Sequence, residues 1–133
     1  MIFADTSFLV AYMVERDQHH EAAVQLYDQV AHQRIAITNH VRGETWTWLR
    51  SRTWHGKAVA FLDSVGKGGS YIEVKRLPDD LEDDALRWLR QHDEREYSFV
   101  DATSFAFMRA RGIEEALAFD GDFAAAGFTE LRP

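Results

Sequence analysis

Short apolar runs alternate along this chain with longer segments in which apolar residues recur every three or four positions. The short runs predict buried β-strands and the longer segments predict amphipathic helices, because the two spacings place side chains on a shared face in different ways. The predicted strands are 2–4, 35–38, 71–74 and 116–119, with 129–131 as a candidate fifth. The predicted helices are 7–14, 20–32, 40–52, 54–65, 79–92 and 99–111, the last of them closed by Gly112.

This alternation of strands and helices predicts an α/β fold with three layers, α/β/α. Strands joined through helices need crossover connections, which are right-handed, so we expect a mostly parallel central sheet with helices on both faces. With 133 residues the chain has the length of one domain, and we expect residues 1–133 to form it. The glycine-rich segment 66–70 predicts a loop that is too short to separate two domains.

Two carboxylates follow predicted strands at the edge of the sheet where ligands of parallel sheets bind. Asp5 comes directly after the strand 2–4, and Asp120 directly after the strand 116–119. Each also has a local explanation, since Asp5 can cap the next helix and Asp120 stands in the turn sequence Asp120-Gly121-Asp122. Taken singly, neither position requires a functional site.

Two further carboxylates lie on the apolar faces of predicted helices. Glu44 is four residues before Trp48, and Asp101 is four residues before Phe105. A carboxylate on a buried face is costly unless it has a partner. Local explanations exist here too, since Glu44 can extend to the rim and Asp101 can form a capping box with Ser98.

All four carboxylates can converge on one cleft at the carboxyl ends of the strands, where their charges would repel. Two carboxylates about 5 Å apart repel by about 3 kcal/mol at an effective dielectric constant of 20. Either some of them hold a proton or a cation binds among them. Oxygen ligands, in a chain without Cys, favour a hard ion such as Mg²⁺ or Mn²⁺.

Composition narrows the class of protein further. The lack of Cys excludes a disulfide scaffold, a thiol nucleophile and a cysteine zinc site. Because no apolar run approaches the ~20 residues of a membrane span and the N-terminus lacks the basic region of a signal peptide, we expect a cytoplasmic protein. The net charge of −7 argues against broad electrostatic contact with nucleic acid, which would need a local basic patch or a bridging cation.

Four segments, in this order, resemble the PIN-domain ribonucleases, in particular the VapC-type toxins of bacterial toxin–antitoxin pairs. The resemblance extends over essentially the whole chain. The segments are Phe3-Ala4-Asp5-Thr6-Ser7, Val41-Arg42-Gly43-Glu44-Thr45, Tyr97-Ser98-Phe99-Val100-Asp101-Ala102-Thr103-Ser104-Phe105 and Ala116-Leu117-Ala118-Phe119-Asp120-Gly121-Asp122-Phe123.

The resemblance implies that Asp5, Glu44, Asp101 and Asp120 are the catalytic acids. In this interpretation Asp5, Asp101 and Asp120 hold one or two Mg²⁺ ions, and Glu44 orients or deprotonates a water molecule. Asp122 competes with Asp120 for the fourth acidic position. We prefer Asp120 because it directly follows the predicted strand.

The same resemblance implies a metal-dependent endoribonuclease that acts as a toxin and leaves a 5′-phosphate and a 3′-hydroxyl on its RNA substrate. Thr6 and Ser104 match hydroxyl positions near the family's site, and Arg42 is close to it in sequence, so these three are predicted to contact the substrate. A PIN-like nuclease of RNA processing and a non-catalytic binding module stay open as alternatives.

Two protein partners are expected, namely a small antitoxin and a second copy of the chain in a homodimer. Trp46 is two positions from both Glu44 and Trp48, so it points away from their helix face. An exposed Trp often marks a protein interface, which makes Trp46 a candidate anchor for the antitoxin. Burial of Trp46 against the neighbouring helix near Trp54 is the alternative.

Overall fold

The apolar runs form the five strands of one parallel sheet, in a computed structural model that describes residues 1–68 and 70–133. The strands are β1 Ile2–Ala4, β2 Ile35–Thr38, β3 Ile72–Lys75, β4 Glu115–Leu117 and β5 Thr129–Glu130. Their order in the sheet is β3-β2-β1-β4-β5, and every pairing is parallel. Gly69, which belongs to the loop predicted at 66–70, lies outside the described residues.

Helices fill the connections between the strands. They are α1 Thr6–Met13, α2 His20–Val30, α3 Asn39–Arg52, α4 His55–Ser64, α5 Asp79–Gln91, α6 Phe99–Arg111 and α7 Asp122–Ala125. Local chemistry sets several of their ends. The side chains of Thr38 and Ser98 accept hydrogen bonds from backbone N–H groups in the first turns of α3 and α6. Gly112, at a φ of 67°, ends α6 as predicted.

The connections divide these helices into two layers. From β1 to β2 and on to β3 the chain moves toward one edge of the sheet through α1 to α4, whereas from β3 to β4 it returns through α5 and α6. Right-handed crossovers in opposite directions put the two sets of helices on opposite faces. Most helix contacts lie within one set, since α3 contacts α1 and α4, and α5 contacts α6; α3 also contacts α6 of the other set. The predicted three-layer α/β/α arrangement is confirmed.

The direction of the chain reverses between the neighbouring strands β1 and β4. The segments that follow these two strands lead to opposite faces of the sheet, which leaves a crevice at their carboxyl ends. The N–H of Asp5 donates to the carbonyl of Leu117 at 3.0 Å, where both strands end. The residues after β1 and after β4 therefore begin at adjacent points of the sheet edge.

The C-terminal part of the sheet differs from the prediction in two respects. The strand β4 ends at Leu117, because the N–H of Phe119 donates to the hydroxyl of Ser7 at 3.1 Å instead of to a neighbouring strand. Asp120 therefore stands three residues beyond the strand and not directly after it. The turn at Asp120 leads into α7, a helix of four residues that is too short to produce a periodic pattern in the sequence.

Trp46 packs against the neighbouring helix. It is half-buried beside the main core, and its ring meets that of His55 in α4 edge-on, with the centroids 5.7 Å apart. The prediction of an exposed anchor at Trp46 is therefore wrong, and the alternative, packing near Trp54, agrees with the structure. Trp54 itself is the exposed indole of this region, with 61% of its surface accessible.

The core lies between the sheet and the helical layers. All of β1 and β2 is buried, as expected for the central strands of a sheet covered on both faces. The largest fully buried side chains include Phe3, Phe8, Phe61, Phe105, Phe107 and Phe123. Packing at this depth fixes the strand ends from which the polar residues of the crevice project.

In residues 1–68 and 70–133, no helix has both the length and the apolar character needed to cross a membrane. This agrees with the lack of a long apolar run in the sequence. The interpretation of residues 1–133 as a single domain stays a prediction.

Candidate functional site

A cavity of about 560 Å³ opens where the direction of the chain reverses across the sheet. Its walls come from the segments after β1 and β4 and from the helices α3 and α6. The predicted site residues that line it are Asp5, Thr6, Glu44, Asp101 and Asp120. The structure therefore brings together all four acids that were predicted to be catalytic, although they come from separate segments of the chain.

Asp5 is nearly inaccessible, with 2% of its surface exposed. It directly follows β1 and caps α1, and its Oδ2 accepts hydrogen bonds from the backbone N–H of Ser7 at 3.2 Å and from the Ser7 hydroxyl at 2.8 Å. Burial, together with repulsion from Asp120 and Asp101, raises the pKa of Asp5 to about 8 despite these bonds. The predicted helix cap is thus present in a residue that also belongs to the acidic cavity.

Asp101 likewise caps a helix and belongs to the acidic cavity. It forms the predicted capping box, in which its N–H donates to Oγ of Ser98 at 2.9 Å and its Oδ2 accepts from the N–H of Ser98 at 3.0 Å. Burial, with repulsion from Asp122 and Asp120, raises the pKa of Asp101 to about 7. The capping box therefore explains the position of Asp101 but does not relieve the repulsion on its carboxylate.

The turn before α7 presents two carboxylates with different partners. Asp120 accepts a hydrogen bond from the backbone N–H of Asp122 at 3.1 Å, and burial raises its pKa. Asp122 pairs with Arg95, whose Nε and Nη2 lie 3.0 and 2.9 Å from its Oδ1. Gly121 between them has a φ of 83°, a conformation that favours glycine. Of the two competing acids, Asp122 is the one that a cation neutralises.

Three carboxylates lie close enough to share a metal ion. One oxygen from each of Asp101, Asp120 and Asp122 lies within 4.8 Å of the others. A donor set of carboxylate oxygens suits a hard divalent cation. This group contains Asp122 where the sequence predicted Asp5. Asp5 borders it, since its pKa responds to both Asp120 and Asp101.

Glu44 and Thr6 complete the predicted wall of the cavity. Glu44 is half-buried on α3, one helical turn before Trp48, which lines the same cavity. The hydroxyl of Thr6 accepts a hydrogen bond from Oγ1 of Thr45 at 3.3 Å. This bond joins α1 to α3 at the position next to Glu44 in the sequence.

The structure does not bring Arg42 and Ser104 to the acidic cavity. Neither is among the described residues that line it. Ser104 is fully buried, and its hydroxyl donates to the carbonyl of Val100 at 2.9 Å. Arg42 is half-buried on α3. Their predicted contacts with the substrate stay predictions that the geometry of the cavity does not support.

Several residues of the site escaped the sequence prediction, among them Ser7, Arg95 and Trp48 and the lining residues Asp17, His19 and Glu96. The hydroxyl of Ser7 bridges the two strand ends through its bonds to Asp5 and Phe119. The sequence contained a signal for the first bond, because Asp5 is a helix-cap residue and Ser7 stands two positions after it. Arg95 gave no local signal, because its partner Asp122 is 27 residues further along the chain. Trp48 has the spacing of a core residue, yet the structure leaves it half-buried in the cavity wall.

Comparison with known proteins adds to this geometry. The family model described as PIN domain matches residues 2–129. The chain is 50% identical over 133 residues to the 23S rRNA-specific endonuclease VapC20 of Mycobacterium tuberculosis, from strains CDC 1551 and H37Rv. The match covers 100% of this chain and 99% of that protein. The crystal structure of M. tuberculosis VapC20, described as a sarcin–ricin loop cleaving toxin, matches with a TM-score of 0.91 and 48% identity over 100% of both chains.

A second solved structure shares the fold at lower similarity. A chain from a toxin–antitoxin complex of Klebsiella pneumoniae matches with a TM-score of 0.57 and 16% identity, over 86% of this chain and 82% of that one. At this identity the likeness concerns the fold alone. The match to the domain model over nearly the whole chain and the similarity to VapC20 show that this protein belongs to the PIN-domain family and, within it, to the VapC-type toxins.

Proposed function

We propose that this chain is the toxin of a toxin–antitoxin pair and acts as a metal-dependent endoribonuclease. The observation that carries the proposal is the meeting of Asp5, Glu44, Asp101 and Asp120 in one cavity of a chain that is 50% identical throughout to an rRNA endonuclease. These acids lie at the sheet edge where α/β proteins bind their ligands. With a divalent cation bound, such a set of carboxylates would support hydrolysis of a phosphodiester bond.

Asp5, Asp101 and Asp120 are the residues that would hold a divalent cation, Mg²⁺ or Mn²⁺. The donor set fits such an ion, because it consists of carboxylate oxygens whose mutual repulsion a cation would relieve. That repulsion, together with burial, raises the pKa of Asp5 to about 8 and that of Asp101 to about 7. When bound, the cation offsets negative charge on the phosphate and acidifies a water molecule. Ser7 and the capping box keep the carboxylates of Asp5 and Asp101 in fixed positions.

Glu44 is the carboxylate that would act on the attacking water. It lines the cavity from α3, is not one of the three carboxylates that meet within 4.8 Å, and, unlike Asp101 and Asp120, is not among the acids whose charges raise the pKa of Asp5. Its oxygen atoms can therefore accept a proton from a water molecule in the cavity, which is the task of a general base. The expected products carry a 5′-phosphate and a 3′-hydroxyl.

Large-subunit ribosomal RNA is the proposed substrate. VapC20 is described as specific for 23S rRNA and as cleaving the sarcin–ricin loop, and its identity with this chain extends from end to end. The match in sequence and in fold covers the whole chain, which includes the segments that form the cavity. We therefore propose the same region of the ribosome as the target.

A small antitoxin is the proposed protein partner. A cavity that gathers several carboxylates would accept an Arg or Lys side chain from such a partner, which would compete with the cation. A homodimer also stays a prediction, and sedimentation velocity of the purified chain would test it.

The test is cleavage of defined RNAs by the purified chain, with Mg²⁺ and with EDTA. A 23S rRNA fragment that contains the sarcin–ricin loop should be cut only when Mg²⁺ is present, whereas tRNA and mRNA should be cut far more slowly. End labelling should then find a 5′-phosphate on the downstream product. Binding of RNA without cleavage would favour the non-catalytic module, and faster cleavage of tRNA would contradict the proposed substrate.

A further inference from the structure

One face of α3 connects the acidic cavity to two further cavities. Glu44, Trp48 and Arg52 follow one another at intervals of four residues, so they lie on the same side of the helix and span roughly 12 Å along it. Glu44 and Trp48 line both the acidic cavity and a second cavity of about 640 Å³. Arg52 lines this second cavity and a third of about 420 Å³. The three cavities are therefore neighbours along α3, each sharing at least one lining side chain with the next.

The third cavity gathers positive charge in a protein whose net charge is −7. Arg16, Arg52 and Lys57 line it, together with the exposed Glu15. Within the described part of the chain none of these three cations forms an ion pair, in contrast to Arg34. The guanidinium of Arg16 donates to the backbone carbonyl of Arg52 at 2.9 Å, which holds it at the end of α3. Neighbouring cations without a carboxylate partner create a local positive potential that suits an anionic ligand.

Two indole rings accompany these cations. Trp54 is 61% exposed, and the ammonium of Lys57 lies 5.3 Å from its ring centroid. The ring also lies close to Gly56, where a Cβ would be 3.2 Å from its Nε1. The guanidinium of Arg52 lies 4.9 Å from the ring centroid of Trp48. Proteins that hold single-stranded nucleic acid combine aromatic rings, on which bases stack, with cations that follow the phosphates.

We propose that Arg16, Trp48, Arg52, Trp54 and Lys57 form an RNA-binding tract that holds the single-stranded nucleotides flanking the bond that is cut. The proposal rests on the proposed function, since the tract begins at the cavity that would cut RNA. RNA is favoured over an acidic protein segment, because an exposed indole beside cations that have no carboxylate partner among the described residues offers both a surface on which a flat base can stack and charges for its phosphates. The tract also offsets, at the point of contact, the repulsion between RNA and an acidic protein.

Binding would be measured by the fluorescence anisotropy of a labelled 23S rRNA hairpin that contains the sarcin–ricin loop. An Asp101→Asn background prevents cleavage during the measurement. Trp54→Ala is expected to weaken binding about tenfold, the effect of removing one aromatic ring on which a base stacks. The matched control is Tyr71→Ala, which removes a ring of similar exposure, 60%, that lines a different cavity beside Tyr27. This control should bind as tightly as the background protein.

The charges of the tract are tested by the dependence of binding on salt. Lys57→Ala should reduce the slope of log K against log salt concentration by about 0.7 to 0.9, the contribution of one phosphate contact. Lys67→Ala, which removes an ammonium 3.5 Å from the carboxylate of Asp63, should leave the slope unchanged. Gly56→Ala keeps every charge and both rings but places a Cβ 3.2 Å from Nε1 of Trp54, so it should also weaken binding.

The proposal is wrong if Trp54→Ala and Lys57→Ala bind the hairpin as tightly as the Tyr71→Ala and Lys67→Ala controls. If the same two variants capture less of a co-expressed antitoxin while RNA binding is unchanged, the tract serves a protein partner and the proposal is likewise overturned. Failure of the proposed function is distinguishable, because the unsubstituted chain then neither cuts nor binds the hairpin. Melting curves identify any variant that fails to fold, in which case the remaining variants of this set decide the outcome.

Discussion

Two carboxylates of the same sheet, Asp5 and Glu73, have opposite electrostatic environments. Glu73 in β3 accepts hydrogen bonds from Arg34 at 2.7 and 2.9 Å and lies 3.1 Å from the ammonium of Lys75, and these partners lower its pKa to about 2. Asp5, at the end of β1, receives hydrogen bonds from Ser7, and burial beside other acids raises its pKa to about 8. Glu73 is thus paired with cations, whereas, among the described residues, acids and not cations surround Asp5.

This difference separates a carboxylate that is paired within the fold from carboxylates that we propose to bind a ligand. The cations that pair with Glu73 are Arg34, which directly precedes β2, and Lys75 of β3. The pairing of β2 with β3 places Arg34 next to Glu73, and Lys75 lies two positions along the same strand. The acidic cavity keeps its charges close together, and of the acids at the strand ends Asp122 has an Arg partner. Groups whose pKa is shifted by burial and by like charges are typical of functional sites.

The largest expected difference between the two kinds of carboxylate is in the rate of RNA cleavage after each is neutralised by substitution. Asp101→Asn should reduce RNA cleavage by at least ~100-fold, because it removes a charge proposed to hold the cation, and even outer partners of metal ligands cost 10–100-fold. Asn at this position can still accept the hydrogen bond from Ser98. Glu73→Gln is the matched control and should retain cleavage within about twofold. Equal activity of the two variants would contradict the proposed role of the cavity.

Stability should depend on pH in opposite ways for the two kinds of carboxylate. The pKa of Asp5 rises from 3.8 to about 8 on folding, so between these values the unfolded chain has lost a proton that the folded protein keeps. The free energy of unfolding without metal should therefore fall as the pH rises from about 4 to about 8. For Glu73, with its pKa lowered from 4.5 to about 2, stability is instead lost as the pH falls through that range.

Urea unfolding at several pH values in EDTA measures this dependence. Asp5→Asn should remove the larger part of the decline in the free energy of unfolding between about pH 5 and 8. A smaller decline should persist, because the pKa of Asp101 is also raised. Glu73→Gln should leave the decline of the unsubstituted protein intact. The same decline in Asp5→Asn as in the unsubstituted chain would show that Asp5 is not the group that resists ionisation.

Adding a divalent cation should stabilise the protein through the acidic cavity. At a free Mg²⁺ concentration 100 times its Kd, the free energy of unfolding should increase by about 2.7 kcal/mol, because the ion binds the folded state. Differential scanning fluorimetry with and without EDTA would show the rise in Tm. The rise should vanish in Asp101→Asn and persist in Glu73→Gln. An unchanged Tm in the unsubstituted chain at millimolar Mg²⁺ would argue against a metal site.

The smallest effect separates the two acids of the turn before α7. Asp120→Asn should reduce cleavage about tenfold more than Asp122→Asn, because Asp122 is already neutralised by Arg95. Steady-state cleavage assays at equal Mg²⁺ concentration would compare them. The reverse order would assign the fourth acidic position to Asp122.

The sequence predicted most of the elements, because apolar periodicity and helix caps are local properties. The helix α6, for example, spans 99–111 as predicted, with Ser98 at its start and Gly112 at its end. The end of β4 was not predictable in this way, since it depends on a hydrogen bond from Phe119 to Ser7. The helix α7 was missed because four residues do not form a period.

The acids of the site were predictable because strand ends and helix faces both follow from the local pattern. The surroundings of these acids were not, because they depend on contacts between distant segments. Arg95 reaches Asp122 across 27 positions. Ser104 has a family position that suggests contact with substrate, but its hydroxyl bonds within its own helix, which no spacing rule reveals.

The Ser7 hydroxyl joins Asp5 to Phe119, residues near the two ends of the chain, and its bond to Phe119 spans 112 positions. During synthesis Asp5 emerges first, whereas Asp120 and β4, one of the two strands that pair with β1, come from the last part of the chain. Such long-range pairing forms late, after loop closure over most of the sequence. A ribosome that translates this protein therefore adds nearly every residue before the acidic cavity can exist, and with the proposed rRNA target this order delays the cutting of the ribosome that makes it.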